Sequence, residues 1–196
     1  MALNLGLSVG ETFGKAKVIG KPGIRVGGGN TNENSTSTNS QTNSTLSSLP
    51  KLENRLEEKA KRGDPRSQYE LAMQLMEKPG QIKRVHDLLR SAAEKNHTKA
   101  MYQYALILAT HKSKQKKAAE YMQIAASRNC PEANIALAIM LERGQGIEQN
   151  IKEALKIFKS YTKDPLALYH AGIIISQTDP KKGSAYFQRA AEKGHV

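Results

Sequence analysis

Between residues 50 and 196, apolar and small side chains recur at spacings of three and four residues, which is the periodicity of an α-helix. Four segments with this pattern begin at Pro65, Thr98, Pro131 and Pro165, so that their starts lie 33, 33 and 34 residues apart. A period of this length predicts a repeat protein in which each repeat is one supersecondary unit.

Small residues occupy the same two places in each segment, two and seven residues after its start. Because the side chains at a contact set how closely two helices approach, these places predict tight helix–helix packing. Each segment is followed by a turn-forming stretch and then by a second helical pattern. The small residues are Ser67, Ala100, Ala133 and Ala167 at the first place, and Ala72, Ala105, Ala138 and Gly172 at the second.

We therefore predict an all-α fold, a right-handed α-solenoid of about four helix-pair repeats that bury their apolar faces against one another. In the third repeat, the second helix is about two residues shorter than in the others. Before the first repeat, the stretch LENRLEEKAKRGD predicts one additional helix, of the second-helix type, that caps the stack. The predicted domain spans residues 50–196, with repeats at about 65–97, 98–130, 131–164 and 165–195.

The first 49 residues have a different composition. Residues 27–48 are almost all Gly, Asn, Ser, Thr and Gln, which bury too little apolar surface to offset the entropy lost on ordering. We predict a disordered, low-complexity N-terminal tail over residues 1–49. It lacks the apolar core of a secretory signal, although its basic start also fits a weak organelle-targeting peptide.

The residue inventory argues against catalysis and metal binding. The five histidines are never three or four residues apart, the single Cys130 has no thiol partner, and no catalytic set is visible in the sequence. We predict no enzymatic activity, no cofactor and no metal. The lone cysteine predicts a reducing compartment, which we take as the cytoplasm, and no run approaches the ~18 apolar residues of a membrane span.

The stretch LERGQGIEQNIKEA in the third repeat allows two interpretations. A phosphate-binding loop would follow a buried strand and usually contain Lys followed by Ser or Thr, and neither is present. A connector between two helices fits better, because Gly144 and Gly146 permit backbone turns that other residues resist, and Asn150 is a good cap for the next helix.

The residues that recur at equivalent places of the four repeats resemble the Sel-one-like repeat family, whose members are close relatives of tetratricopeptide repeats. The resemblance covers about residues 51–196 and implies a helical superhelix, whereas three of the four connectors are shorter than the family pattern. The matching features are the loop Gly144, Gly146, Ile147 and Asn150 with Glu153-Ala154 after it, the double alanines Ala92-Ala93, Ala125-Ala126 and Ala190-Ala191, and the aromatic pair Tyr186-Phe187.

One face of the first helices is a candidate binding surface, here called the open face. Its residues lie one, four and eight positions after each start and cluster on one side of a helical wheel. By resemblance to tetratricopeptide-like solenoids, this face lines a concave groove that binds a peptide or helix of a partner. The alternative is that its tyrosines pack between adjacent repeats. The candidates are Arg66, Tyr69, Met73, Lys99, Tyr102, Leu106, Ile135, Ile139, Tyr169 and Ile173.

A second candidate surface is the basic rim, formed by Lys112, Lys114, Lys116 and Lys117. The full chain has 30 basic and 18 acidic residues, for a formal charge of +12. This charge favours acidic peptides, phosphate-bearing lipids or RNA, although a solvated turn explains the lysines equally simply.

The favoured function is a non-enzymatic scaffold that binds another protein through the concave face, and the alternative is an RNA- or ribonucleoprotein-associated repeat protein. The pattern also predicts an exposed apolar edge on the last helix, around Tyr186 and Phe187, that is available for self-association or for a partner.

Overall fold

Nine α-helices and one short 3₁₀ turn make up the part of the chain that the computed structural model describes, residues 49–195. The tail predicted for residues 1–49 lies outside this part, except for its last residue. The helices are α1 Leu49–Lys61, α2 Pro65–Met76, α3 Ile82–Glu94, α4 Thr98–Ala109, α5 Gln115–Ser127, α6 Pro131–Arg143, α7 Ile151–Ser160, α8 Pro165–Ser176 and α9 Pro180–Glu192, and the 3₁₀ turn is Lys112–Lys114.

From α2 onward the helices pack in antiparallel pairs, α2 with α3, α4 with α5, α6 with α7 and α8 with α9. Each second helix also packs against the first helix of the next pair, so the core is continuous from one repeat to the next. The predicted all-α solenoid of helix pairs is confirmed. In addition, the first helices of the third and fourth repeats, α6 and α8, contact each other directly.

The first helices begin where the sequence predicts. Pro65, Pro131 and Pro165 stand in the first turn, where a missing N–H costs no hydrogen bond. Asp64 and Asp164 cap α2 and α8, because their carboxylates accept from backbone N–H groups three residues on, at 2.8 and 2.9 Å.

The first two turns between repeats share one backbone geometry. Asn96 and Asn129 have φ of +67° and +59°, in the left-handed region that Asn tolerates better than most residues. The next residue, His97 or Cys130, donates its N–H to a carbonyl five residues back, as in a Schellman motif. That residue is also the N-cap of the following helix, so each turn fixes where the next repeat starts.

The small residues that recur seven positions after the start of each repeat allow the close helix packing that was predicted. Ala72, Ala105 and Ala138 have no exposed surface. At the equivalent place in α8, a Cβ on Gly172 would lie 2.7 Å from the ring of Phe187, closer than real Cβ contacts allow. The column is therefore limited in size by the second helix that packs against it.

The third connector is a structural turn, as predicted. Gly144 and Gly146 have φ of +67° and +70°, and a Cβ on Gly146 would overlap the backbone carbonyl of Gln115. Asn150 caps α7 by accepting from the N–H of Glu153 at 3.0 Å. The α7 helix has ten residues, against thirteen in α3, α5 and α9, which confirms the predicted shortening.

The last helix has an apolar edge that no further helix of the described chain covers. In α5 the side chains of Met122 and Ala126 are buried, whereas Phe187 and Ala191 at the same places in α9 are half-buried and exposed. Arg189 lies over the Tyr186 ring, 5.6 Å from its centroid. Self-association through this edge stays a prediction.

Candidate partner-binding face

The open face is accessible in the first two repeats. Tyr69 and Met73 on α2, and Tyr102 and Leu106 on α4, are all half-buried, so each presents part of its apolar surface to solvent. They lie at successive turns on the same side of adjacent first helices. We call these four predicted residues, which the helical spacing places on one side of the two first helices, the apolar strip.

The same face is largely closed in the third repeat. Ile135 is 6% exposed and Ile139 only 1% exposed, so both belong to the core rather than to an accessible surface. In the fourth repeat, Tyr169 is 39% exposed and Ile173 is half-buried. The face is therefore buried on α6 and partly accessible again on α8.

Two tyrosines of this face also pack against the turn that ends their own repeat. The ring of Tyr69 lies 4.9 Å from that of His97, and the ring of Tyr169 lies 4.5 Å from that of His195. Burial, and then the nearby Glu132 carboxylate, raise the pKa of Tyr102 to about 12. The column thus has one side packed between repeats and one side open, which combines the two interpretations of the sequence.

Two cations stand at the start of this face and differ in their pairing. Arg66 forms an ion pair with Glu70 at 2.9 Å on the surface of α2. Lys99 is exposed, and within the described residues it has no ion-pair partner. In the third repeat Glu132 takes the equivalent place, so the charge along the face reverses between α4 and α6.

His97 caps α4 through a contact that only the neutral ring can make. Its Nδ1 accepts from the N–H of Ala100 at 3.2 Å. Burial, and then the charge of Lys99, lower the pKa of His97 below its ordinary value of 6.5, while Asp64 opposes the shift. A protonated ring would lose the cap.

We expect the free energy of unfolding to fall as the pH drops below about 6.5, because the unfolded chain then binds a proton at His97 that the folded chain binds less readily. The loss continues until the folded-state pKa is passed. Urea denaturation at pH 7.5 and 5.5 measures it. His97→Asp retains a capping group of the kind found at Asp64 and should show a smaller loss; an identical loss in both proteins would contradict this role.

The basic rim lies on the 3₁₀ turn and the first turn of α5. All four of its lysines are exposed, and no acidic residue occurs between Thr110 and Lys117. Lys117 lies 6.0 Å from the ring centroid of Tyr121. Within the described residues, none of the four forms an ion pair.

Basic side chains at the ends of second helices bind backbone oxygens of the preceding turn, which was not predicted from the sequence. Lys95 donates from Nζ to the carbonyl oxygen of Gly63 in the preceding turn. Arg128 donates to the backbone oxygen of Asn96 at 2.7 Å and to its side-chain oxygen at 2.9 Å. The sequence feature that could have indicated these contacts is the basic residue that precedes Gly or Asn at the end of most second helices.

The buried contact between His170 and Glu142 was also missed. His170 Nδ1 donates to Glu142 Oε2 at 2.7 Å, and the two side chains are only 4% and 13% exposed. This contact joins α6 to α8. The signal was a carboxylate at a place where the other first helices have Met76, Ala109 and Ser176.

Two searches of the described residues bear on the class of site. Across residues 49–195, no group of three or more His, Cys, Asp or Glu side chains has the arrangement to hold a metal ion. In the same part of the chain, no helix combines the length and the apolar character needed to cross a membrane.

The repeat length of 33 or 34 residues, the paired helices and the small residues at equivalent places define a helical-repeat protein. Three stretches of the sequence match the family model described as Sel1 repeat, at residues 98–130, 131–160 and 166–195. The chain is therefore a Sel1 repeat protein, and the predicted resemblance is confirmed. Sel1 repeats form a helical solenoid, a fold commonly used in protein–protein interaction.

Solved structures agree on the fold. A Sel1 repeat protein from Oxalobacter formigenes matches with a TM-score of 0.60 and 17% identity, over 72% of this chain and 63% of that one. A protective antigen from uropathogenic Escherichia coli, described as displaying an SLR fold, matches with a TM-score of 0.62 and 22% identity, over 72% of this chain and 33% of the antigen. This chain thus spans less than two thirds of either. A comparison with curated proteins finds no match.

Proposed function

We propose that this protein is a non-enzymatic scaffold that binds a segment of another protein on the open face of its first helices. The observation that carries the proposal is the apolar strip of the first two repeats, Tyr69, Met73, Tyr102 and Leu106, all half-buried on adjacent helices. An amphipathic helix or extended peptide with apolar anchors fits such a strip.

The charges beside the strip support a partner with acidic residues at one end of its segment. Lys99 is exposed without an ion-pair partner in the described residues, and the neighbouring Arg66 already shares its charge with Glu70. Such charges at the edge of an interface mainly speed association and select partners, whereas the buried apolar centre provides most of the affinity.

The test is quantitative capture of partners from extract with the full chain and two matched variants. Leu106→Glu places a charge in the centre of the strip, and we expect it to lower the recovery of specific partners by tenfold or more. Ile124→Glu makes the same change at a residue of α5 that is 41% exposed, away from the open face, and should leave recovery unchanged. Circular dichroism checks that both variants are folded.

RNA binding through the basic rim is the second candidate, because its four lysines are exposed and form no ion pair within the described residues. The capture experiment separates the two functions when it is repeated after nuclease treatment and with the four rim lysines changed to Gln. Partners that survive both treatments but are lost with Leu106→Glu support the scaffold. Partners lost with both treatments and retained by Leu106→Glu support RNA binding, whose affinity should also fall steeply with salt.

A further inference from the structure

A cleft of about 440 Å³ opens between the first turn of α6 and the turn from α7 to α8. It lies on the third repeat, where the open face is otherwise covered. Its walls are mostly apolar, with two carboxylates among them. The lining residues are Pro131, Glu132, Ile135, Ser160, Tyr161, Thr162, Lys163 and Asp164.

The cleft is present because the third repeat lacks a ring that the others have. At the place of Ile135, the other repeats have Tyr69, Tyr102 and Tyr169. The Tyr69 ring packs on the next turn at His97, at 4.9 Å. Ile135 is shorter than a tyrosine, and the turn after the ten-residue helix α7 lacks the left-handed residue that the two preceding turns have at Asn96 and Asn129.

The third repeat also lacks the cation that crosses this turn elsewhere. Arg128 binds both oxygens of Asn96, at 2.7 and 2.9 Å. The counterpart of Asn96 is Asn129, which has the same side chain and nearly the same φ, +59° against +67°. The next turn supplies Tyr161 and Thr162 instead of a basic residue, and no hydrogen bond joins either of them to Asn129 within the described residues.

The carboxylates of the cleft are unpaired in a strongly basic protein. Within residues 54–195, neither Glu132 nor Asp164 forms an ion pair. Glu132 Oε2 accepts from the Cys130 thiol at 3.3 Å, and Asp164 Oδ1 caps α8. The other oxygen of each carboxylate has no hydrogen-bond partner among the residues whose side chains the structure describes. Lys163 is the one cation in the lining.

From these observations we infer that the cleft receives an arginine side chain from the bound partner, an inference that rests on the proposed scaffold function. The apolar walls at Pro131 and Ile135 suit its methylene groups, and Tyr161 offers a ring for the guanidinium to lie against. The planar guanidinium with five donors matches two separate carboxylates better than a single ammonium does.

The direct test is a titration of the full-length, ¹⁵N-labelled chain with N-acetyl-arginine methylamide, followed by NMR. We expect saturable shifts of the amide signals at residues 129–135 and 160–164, with weak, millimolar affinity because the probe is a single residue. The citrulline analogue, which has the same shape and no charge, should bind at least tenfold more weakly. Equal shifts with the citrulline analogue, or no shifts in these residues, would overturn the assignment.

Three variants locate the binding within the cleft. Ile135→Tyr introduces the residue that the other repeats carry, so it fills the cleft within a known packing arrangement and should abolish the shifts. Glu132→Gln should weaken binding about threefold to tenfold, whereas Lys163→Gln should strengthen it by removing a like charge. Binding that is unchanged in Ile135→Tyr refutes the inference, provided that the variant retains the helical signal of the wild-type chain.

The two proposals fail separately. If Leu106→Glu loses a protein partner while Ile135→Tyr captures it at the wild-type level, the scaffold function stands and the arginine site is wrong. If the probe binds the cleft but no open-face variant changes capture, the site stands and the scaffold function through the open face is wrong.

Discussion

Replacing Phe158 with Ala should lower the free energy of unfolding by about 3–5 kcal/mol, the range for removing a large aromatic side chain from a core. Phe158 is 1% exposed and is one of only two buried residues of the short helix α7. Its ring stacks on that of His170 at 5.3 Å. With only Ala154 left as a buried contact, α7 should no longer hold α6 and α8 together.

A matched control lies at the same place in the next repeat. Phe187 occupies the position in α9 that Phe158 occupies in α7, but it is half-buried because no further helix of the described chain covers it. Phe187→Ala should therefore cost less than half as much. Urea denaturation followed by circular dichroism gives both values, and equal losses would show that stacking of the next repeat contributes little at this position.

The repeat architecture was predictable because its determinants are local and recur. A helix start needs only a cap and a tolerant first residue, as at Asp64 and Pro65, and both stand side by side in the sequence. The size limit at Gly172 was also visible, since the same column is Ala in every other repeat. These features depend on residues within one repeat or on the period itself.

What escaped prediction depends on which residue of another repeat lies opposite. Ile135 and Ile139 fit the open face by spacing, yet they are buried, in the repeat whose first helix also contacts the first helix of the next repeat. The partner of His170 is 28 residues away, at Glu142, so no local spacing indicates it. Burial in a solenoid is decided by the angle between successive pairs, and a column pattern alone does not specify that angle.

The resulting solenoid is not uniform along its length. The first two repeats keep an open apolar strip, whereas the third and fourth are joined through their first helices by a buried polar contact. Binding surfaces need exposed apolar groups, and such groups lower the stability that packing otherwise provides. We expect the buried contact between Glu142 and His170 to stabilise the half of the stack that contains α6 and α8, while the first two repeats keep partly exposed apolar side chains.

This junction gives the second large prediction. Glu142→Ala should lower the free energy of unfolding by about 3 kcal/mol, because it leaves the buried Nδ1 of His170 without an acceptor. An exposed pair offers the contrast: Glu94→Ala breaks the surface contact with Arg90, which is 2.9 Å long, and should cost less than about 1 kcal/mol. Both values come from urea denaturation at pH 7.5.

The double variant Glu142→Leu with His170→Phe separates loss of the contact from loss of the packing. Replacing both partners by apolar groups of similar size leaves no unpaired polar atom, so most of the stability lost in Glu142→Ala should return. The new ring would still stack on Phe158. If the double variant is as unstable as Glu142→Ala, an unpaired His170 nitrogen is not the cause of the loss, and the polar contact itself contributes the stability that apolar groups cannot replace.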